Sequence, residues 1–353
     1  MSETLDATAV AERIHGGHPL EGLDLRGLDL RGATLGGGVL REVDLRGAGL
    51  AGADLRETML IGCRLDEVDL READLRHAVL QGTALPRARL DRARMVHTLL
   101  ERCEADDARF DEADLRLAKL VETTLGDASL RRARLDRTAI LQCTLGAIDL
   151  RDTTLVSVVL LRADLRRARL AGSTFERTVM VEATLAGRDL RGRRFRHCQL
   201  DGSDLSGCDL READLRGCNL RGAKLVGAKL DGVRASQALL VGADLREVSA
   251  TRAELRQALL AEAELGQADL RGADLYQCVM PRATLRDADL RDAKLEHADL
   301  SHADLRGADL RGATLTRANL HRIRDEGARI PGRSAALRPD PELAAAEDWQ
   351  PEL

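Results

Sequence analysis

The chain has 353 residues, of which 44% are hydrophobic but only 1% are aromatic. A layered globular core relies on aromatic side chains, so this interior must be filled in a thinner and more uniform way. The 54 basic and 59 acidic residues give a net charge of -5, which is too mild to indicate a nucleic-acid-binding surface. The seven cysteines are odd in number and lack CxxC spacing, which argues against a disulfide framework and against a zinc motif.

The N-terminal segment predicts a cap rather than a targeting signal. Residues 1–17 lack the basic start and apolar centre of a signal peptide, and no apolar run reaches the 18 residues that a membrane span needs. Asp6 to Ile14 is predicted to form a short helix with Asp6 as its N-cap. We therefore expect a cytoplasmic protein with reduced thiols, no membrane contact and an N-terminal cap over residues 1–17.

A five-residue repeat occupies residues 18–322. From Leu20 to Leu320 every fifth residue is Leu, Met, Ile or Phe, except Ala105, Ala235 and Ala250. We call these positions the large row. Two residues before each of them stands a small residue, usually Ala, and all seven cysteines fall in this small row. Both rows are predicted to be buried, with the cysteines acting as small hydrophobic side chains.

A period of five fits neither a helix nor a strand, but it fits a coil whose sides are about five residues long. The unit Ala53-Asp54-Leu55-Arg56-Glu57 resembles the pentapeptide-repeat family, whose pattern is A(D/N)LxX. This resemblance implies an all-β fold, a right-handed quadrilateral β-helix with four pentapeptides per turn. About 15 coils of 20 residues are then expected, preceded by the short capping helix.

A 20-residue period supports four sides independently of the family. On the side that contains Leu40, Leu60 and Leu80, the residues next to the large row are mostly apolar although they point outward. A column of outward apolar residues is more than a monomer usually exposes, which predicts an interface. The predicted interface residues are Val39, Met59, Ile61, Val79, Leu99, Val121, Leu141, Val159, Leu161, Val179, Val181, Leu239, Val241, Leu259 and Val279.

Arginines interrupt the small row at one place, and the repeat ends before the C-terminus. Arg188 and Arg193 stand at inward positions, where they predict a tolerated kink, outward-turned side chains or, with Arg194 and Arg196, a basic knob for an acidic partner. Residues 323–353 are rich in proline and charge, which predicts an irregular tail with a short helix near 342–349.

No catalytic or cofactor-binding motif is present, so we expect a protein that is not an enzyme and binds neither cofactor nor metal. His77 and His97 are predicted to stack one coil apart without a third ligand. The favoured interpretation is a non-catalytic binding or assembly protein whose apolar face pairs with a second copy or a protein partner, without direct nucleic-acid binding. The alternative comes from the resemblance, because some members protect gyrase by mimicking DNA. Mimicry needs an uncompensated negative surface, whereas most Asp residues here have an Arg two residues later.

Overall fold

The structure is a computed structural model that describes residues 6–337 and 340–349. The chain forms two compact units, Met1–Ala183 (unit 1) and Thr184–Leu353 (unit 2). Each unit is a parallel β-solenoid in which a residue pairs with the residue 20 positions further along the chain, as in Leu60 with Leu80 and Asp209 with Lys229. The predicted fold class is therefore confirmed.

Unit 1 begins with a capping helix and contains most of the regular strands. The helix α1 spans Ala7–His15, and seven strands follow on one side of the solenoid in sequence order. These are β1 (Leu20–Glu21), β2 (Val39–Arg41), β3 (Met59–Ile61), β4 (Val79–Gln81), β5 (Leu99–Glu101), β6 (Lys119–Val121) and β7 (Ala139–Leu141). The next two, β8 (Thr154–Val156) and β9 (Thr174–Glu176), pair with each other on the adjoining side.

Unit 2 has little regular secondary structure although its coils continue. It contains β10 (Phe195–Arg196), a 3-10 helix (Arg333–Ala335) and α2 (Pro341–Asp348). Its other coils are joined by single bridges, the last of which pairs Asp309 with Arg329. Regular strands account for about nine turns rather than the fifteen coils expected. Each five-residue side includes a tight turn, so only one to three of its residues remain extended.

The C-terminal boundary predicted at residue 322 falls inside this ladder, since bridges continue as far as Arg329. Within the predicted tail, α2 occupies Pro341–Asp348, one residue earlier than expected at each end. Residues 1–5, 338, 339 and 350–353, which the predicted cap and tail include, lie outside the described residues. The division into cap, repeat and tail stays a prediction.

The two predicted inward rows form the core. Leu50 and Ala53 are 1% and 0% exposed, and Phe110 is fully buried in the large row. The Ala53 N–H donates to the Leu50 carbonyl at 3.0 Å, which closes the turn between two sides. The second residue after most large-row positions has a positive φ, for example 66° at Gly52. Glycine is frequent there because it adopts this conformation without a steric cost.

Polar residues in the small row are satisfied by the coil before them. The Thr83 hydroxyl donates to the Leu60 carbonyl at 2.9 Å, and the Cys103 thiol donates to the Leu80 carbonyl at 3.3 Å. Cys198 and Cys218 are both buried, one coil apart, and their side chains are hydrogen bonded to each other. The small row therefore accepts Thr and Cys as readily as Ala, because the Thr and Cys side chains are short and each donates a hydrogen bond to a carbonyl.

The capping helix covers the first coils of unit 1. The Asp6 side chain accepts a hydrogen bond of 2.8 Å from the Ala9 N–H, which confirms the predicted N-cap. Val10 and Ile14 are buried, and Val10 lines a small apolar void together with Leu25 and other large-row leucines. The helix thus shields an end of the core that stacking leaves open.

Candidate functional site

The apolar face of unit 1 lies on the seven-stranded sheet. Its first row of outward residues stacks in register, with Val39 paired to Met59, Met59 to Val79 and Val79 to Leu99. The inward neighbours Leu60, Leu80 and Leu100 are buried, so the strands alternate strictly between core and solvent. We call this surface the strand face; its members on the sheet are Val39, Met59, Ile61, Val79, Leu99, Val121 and Leu141, and its members on the next two coils, which continue this side by single bridges, are Val159, Leu161, Val179 and Val181.

The second outward row complements the first. The first row is interrupted at Lys119 and Ala139, and there the paired residues of the second row are Val121 and Leu141. Beside Val79 and Leu99 the second row contains polar residues, and Gln81 donates to Glu101 at 3.2 Å, whereas beside Met59 it contains Ile61. Along the sheet, the apolar surface therefore shifts from the first outward row to the second.

Unit 2 carries a separate apolar patch. Leu239 bridges to Leu259, and Leu259 bridges to Val279, with Val241 beside them. All fifteen predicted interface residues lie outside the core, ten half-buried and five exposed. The exposed ones are Met59, Leu161, Leu239, Leu259 and Val279. Their role as an interface stays a prediction.

A polar cluster precedes this patch on the same side of unit 2. The Asn219 amide donates to Gln199 at 3.1 Å and to the Asp201 carboxylate at 2.7 Å, and its oxygen accepts from the Arg221 N–H at 3.2 Å. These groups satisfy one another, so the cluster costs little in water. Covering it with apolar side chains would leave the outer polar groups without solvent.

Ion pairs neutralise much of the remaining surface. In seventeen Asp-Leu-Arg segments of the described chain, the arginine folds back onto the aspartate. Arg56 is typical, with Nε 2.8 Å from Asp54 Oδ1 and Nη2 2.7 Å from Oδ2. The Arg56 hydrogen bond lowers the pKa of the Asp54 carboxyl. The repeat therefore presents compensated dipoles rather than free negative charge.

The predicted basic knob sits on a regular coil. The Arg188 and Arg193 N–H groups donate to Leu185 and Leu190 at 3.2 and 3.1 Å, as alanines do in other repeats, so the backbone forms no bulge. Both side chains are half-buried, while Arg194 and Arg196 are exposed. The half-burial fits side chains that turn only partly outward, since the Nε atoms of Arg188 and Arg193 are buried.

Arg196 does not extend freely from the knob. Its Nε lies 2.7 Å from the Asp214 carboxylate, which Arg216 also contacts at 2.8 Å. The Arg216 hydrogen bond, together with Arg196, holds the pKa of the Asp214 carboxyl well below its usual range although the residue is 1% exposed. The knob as a binding site stays a prediction, with Arg196 committed to this ion pair.

Two enclosed voids among the described residues are apolar. A void of about 20 Å³ in unit 2 is lined by leucines, valines and alanines, among them Ala235 and Ala250, where the large row lacks its leucine. Its apolar lining offers no hydrogen bond to a water or a polar substrate. His77 and His97 stack in unit 1 with ring centroids 5.0 Å apart, as predicted.

One cluster escaped the sequence analysis. His302, His321 and Glu347 bring their ligand atoms within 4.8 Å of one another in unit 2. His302 and His321 are neighbours because the 20-residue coil stacks His302 on Arg322, the residue after His321, but no pattern places Glu347 beside them, because the path of the C-terminal segment is not periodic. Exposed apolar residues outside the predicted interface are Leu117, Leu337, Leu343 and Trp349. No helix in the described part of the chain combines the length and hydropathy needed to cross a bilayer.

Known proteins resemble this chain mainly through its repeat. A search of curated proteins finds no significant match. Among solved structures, QnrB1, a plasmid-mediated fluoroquinolone resistance protein, is 21% identical over 55% of this chain and 90% of its own, with a TM-score of 0.39. HetL, a pentapeptide repeat protein involved in heterocyst differentiation regulation from the cyanobacterium Nostoc sp. strain PCC 7120, is 26% identical over 89% of this chain and 96% of its own, with a TM-score of 0.14.

The family model gives the decisive comparison. A model described as pentapeptide repeats matches residues 24–60, 53–92, 63–102, 100–137, 108–145, 143–180, 159–196, 198–237, 238–277 and 283–322. These segments include most of the chain and coincide with the two buried rows. With the inward rows, the five-residue sides and the 20-residue pairing already described, the chain belongs to the pentapeptide repeat family.

Proposed function

We propose that this chain is a non-catalytic binding or assembly protein that pairs with a second copy of itself through the strand face. The observation that carries the proposal is a coincidence of two features in unit 1. The side with a continuous seven-stranded sheet is also the side whose outward residues are mostly apolar. Regular strands make a flat surface, and a flat apolar surface packs well against another of its kind.

A second copy is the partner that this surface fits most simply. A two-fold axis brings the same rows of both copies together, so one surface supplies both halves of the interface. Arg41, Glu101 and Lys119 lie among the apolar residues of the sheet and give it both signs of charge. In a two-fold pair, opposite charges can face each other in one register, whereas in other registers like charges face each other and repel.

Oligomeric state is the direct test. Sedimentation velocity over a hundredfold range of concentration is expected to show a concentration-dependent dimer. A monodisperse monomer at every concentration would contradict self-association. Retention of one stoichiometric protein from a cell lysate by that monomer would instead assign the strand face to a different partner.

The alternative, a DNA-mimicking protein that protects gyrase, has the surface charge against it. Seventeen aspartates are paired with the arginine two residues later, which removes the uncompensated negative field that mimicry requires. A gyrase supercoiling assay tests this alternative separately. Inhibition at stoichiometric protein, abolished by salt, would favour it over the assembly role.

A further inference from the structure

The strongest unassigned feature is a cluster of metal-ligating side chains at the C-terminal end of unit 2. His302 and His321 come from neighbouring coils, and Glu347 comes from α2. His302 Nε2 lies 3.3 Å from Glu347 Oε1, and His321 Nε2 lies 3.2 Å from Glu347 Oε2. His321 is 7% exposed, so one imidazole is placed by the solenoid itself.

These distances fit a shared metal ion. A tetrahedral zinc site has Zn–N and Zn–O bonds of about 2.0–2.2 Å, which puts neighbouring ligand atoms about 3.3–3.5 Å apart. The 3.3 Å from His302 Nε2 to Glu347 Oε1 matches that tetrahedral edge, and His321 Nε2 lies 3.2 Å from the other oxygen of the same carboxylate. The three ligand atoms lie within 4.8 Å of one another, so a small turn of the half-buried His302 ring completes the arrangement.

The chemistry of the set also fits. Two neutral imidazoles and one carboxylate are a ligand combination that zinc takes with a fourth position left for water. Arg322 Nε lies 3.0 Å from Glu347 Oε2, and Arg322 Nη2 lies 2.6 Å from Asp348. Asp348 compensates the charge of Arg322, and Arg322 holds one Glu347 oxygen while the other remains for the metal.

Such an ion would connect two parts of the chain that are otherwise joined by few polar contacts. Besides the ion pairs, Arg322 Nη2 donates to the Ala344 carbonyl at 2.7 Å, while α2 has no buried residue. Apolar packing therefore contributes little to holding this helix. A metal bound by both histidines and Glu347 supplies the missing attachment.

We propose that His302, His321 and Glu347 bind one divalent transition-metal ion of the zinc type, which fastens α2 to the final coils of unit 2. The site is structural, because it joins the C-terminal helix to the solenoid. It is independent of the strand face.

The test uses the untagged full chain, stripped of metal with a chelator and titrated with zinc chloride in a calorimeter. We expect one ion per chain, and binding at least about 10-fold weaker in Glu347→Gln and in His302→Ala. His297→Ala is the matched control, since His297 lies in the same region but contacts Tyr276 rather than the cluster. It is expected to bind zinc like the wild type.

A second measurement follows α2 directly. Zinc is expected to slow proteolytic cleavage between the solenoid and α2 in the wild type and in His297→Ala, but not in Glu347→Gln. Circular dichroism confirms that each variant keeps its fold. Absence of zinc binding by the wild type, or equal affinity in Glu347→Gln, would overturn the proposal. So would zinc binding without protection of α2.

Discussion

Replacing Leu141 and Leu161 together by Asp is expected to convert a dimer into a folded monomer. Both residues belong to the second outward row of the strand face, and neither is buried in the core. Leu161 leaves 40% of its surface exposed. This corresponds to about 70 Å², so burying it in an interface contributes about 2 kcal/mol per copy.

In a two-fold dimer each substitution counts twice. Loss of the Leu161 contact alone then removes about 3–4 kcal/mol, which weakens dimerisation by about two to three orders of magnitude. Leu141 adds to this loss, and each new carboxylate must also be desolvated. A dimer with micromolar affinity would become monomeric at any practical concentration.

The assay is sedimentation velocity with a matched control on the opposite side of the coil. Ala171 is exposed and stands ten residues from Leu161, so Ala171→Asp adds a carboxylate away from the strand face. We expect Ala171→Asp to remain dimeric and to melt at the same temperature as the double variant. A double variant that dimerises as well as the wild type would refute the assignment of this surface.

Three further outcomes are expected. Ala213→Leu adds volume to a fully buried site and should destabilise the fold by about 1–3 kcal/mol in thermal melts, whereas Ala51→Leu at a half-buried surface position should change the stability little. Equal shifts in melting temperature for the two variants would contradict the inward assignment of Ala213. A thiol reagent should modify at most Cys143 in the native chain but all seven cysteines after unfolding, because the other six are buried and burial raises the pKa of Cys278 to about 12. Modification of several thiols in the native chain would contradict this. The Arg311 hydrogen bond lowers the pKa of Asp309 from 3.8 to about 2. This pair and others like it therefore stabilise the fold above about pH 4 and lose that contribution as the pH falls toward about 2. A melting temperature that stays constant between about pH 4 and about pH 2 would argue against the ion pairs.

The repeat made much of the fold predictable. Each coil uses the same five-residue side, so the identity of the inward rows follows from counting, and Leu50 and Ala53 are buried as the count requires. The 20-residue offset of the apolar column likewise predicted the pairing of Val39 with Met59. The N-cap at Asp6 was readable because capping depends on a few neighbouring residues.

Two features depended on the three-dimensional arrangement. The coincidence of the apolar column with regular strands was not readable, because a five-residue side can form either a strand or a single bridge with the same inward residues. The meeting of Glu347 with His302 and His321 was also hidden. Periodic sequence determines which residues point inward and which stack, since each coil repeats the geometry of the one before it. Beyond Arg329 that template ends, and tertiary contacts, among them those of Arg322, His302 and His321, place α2.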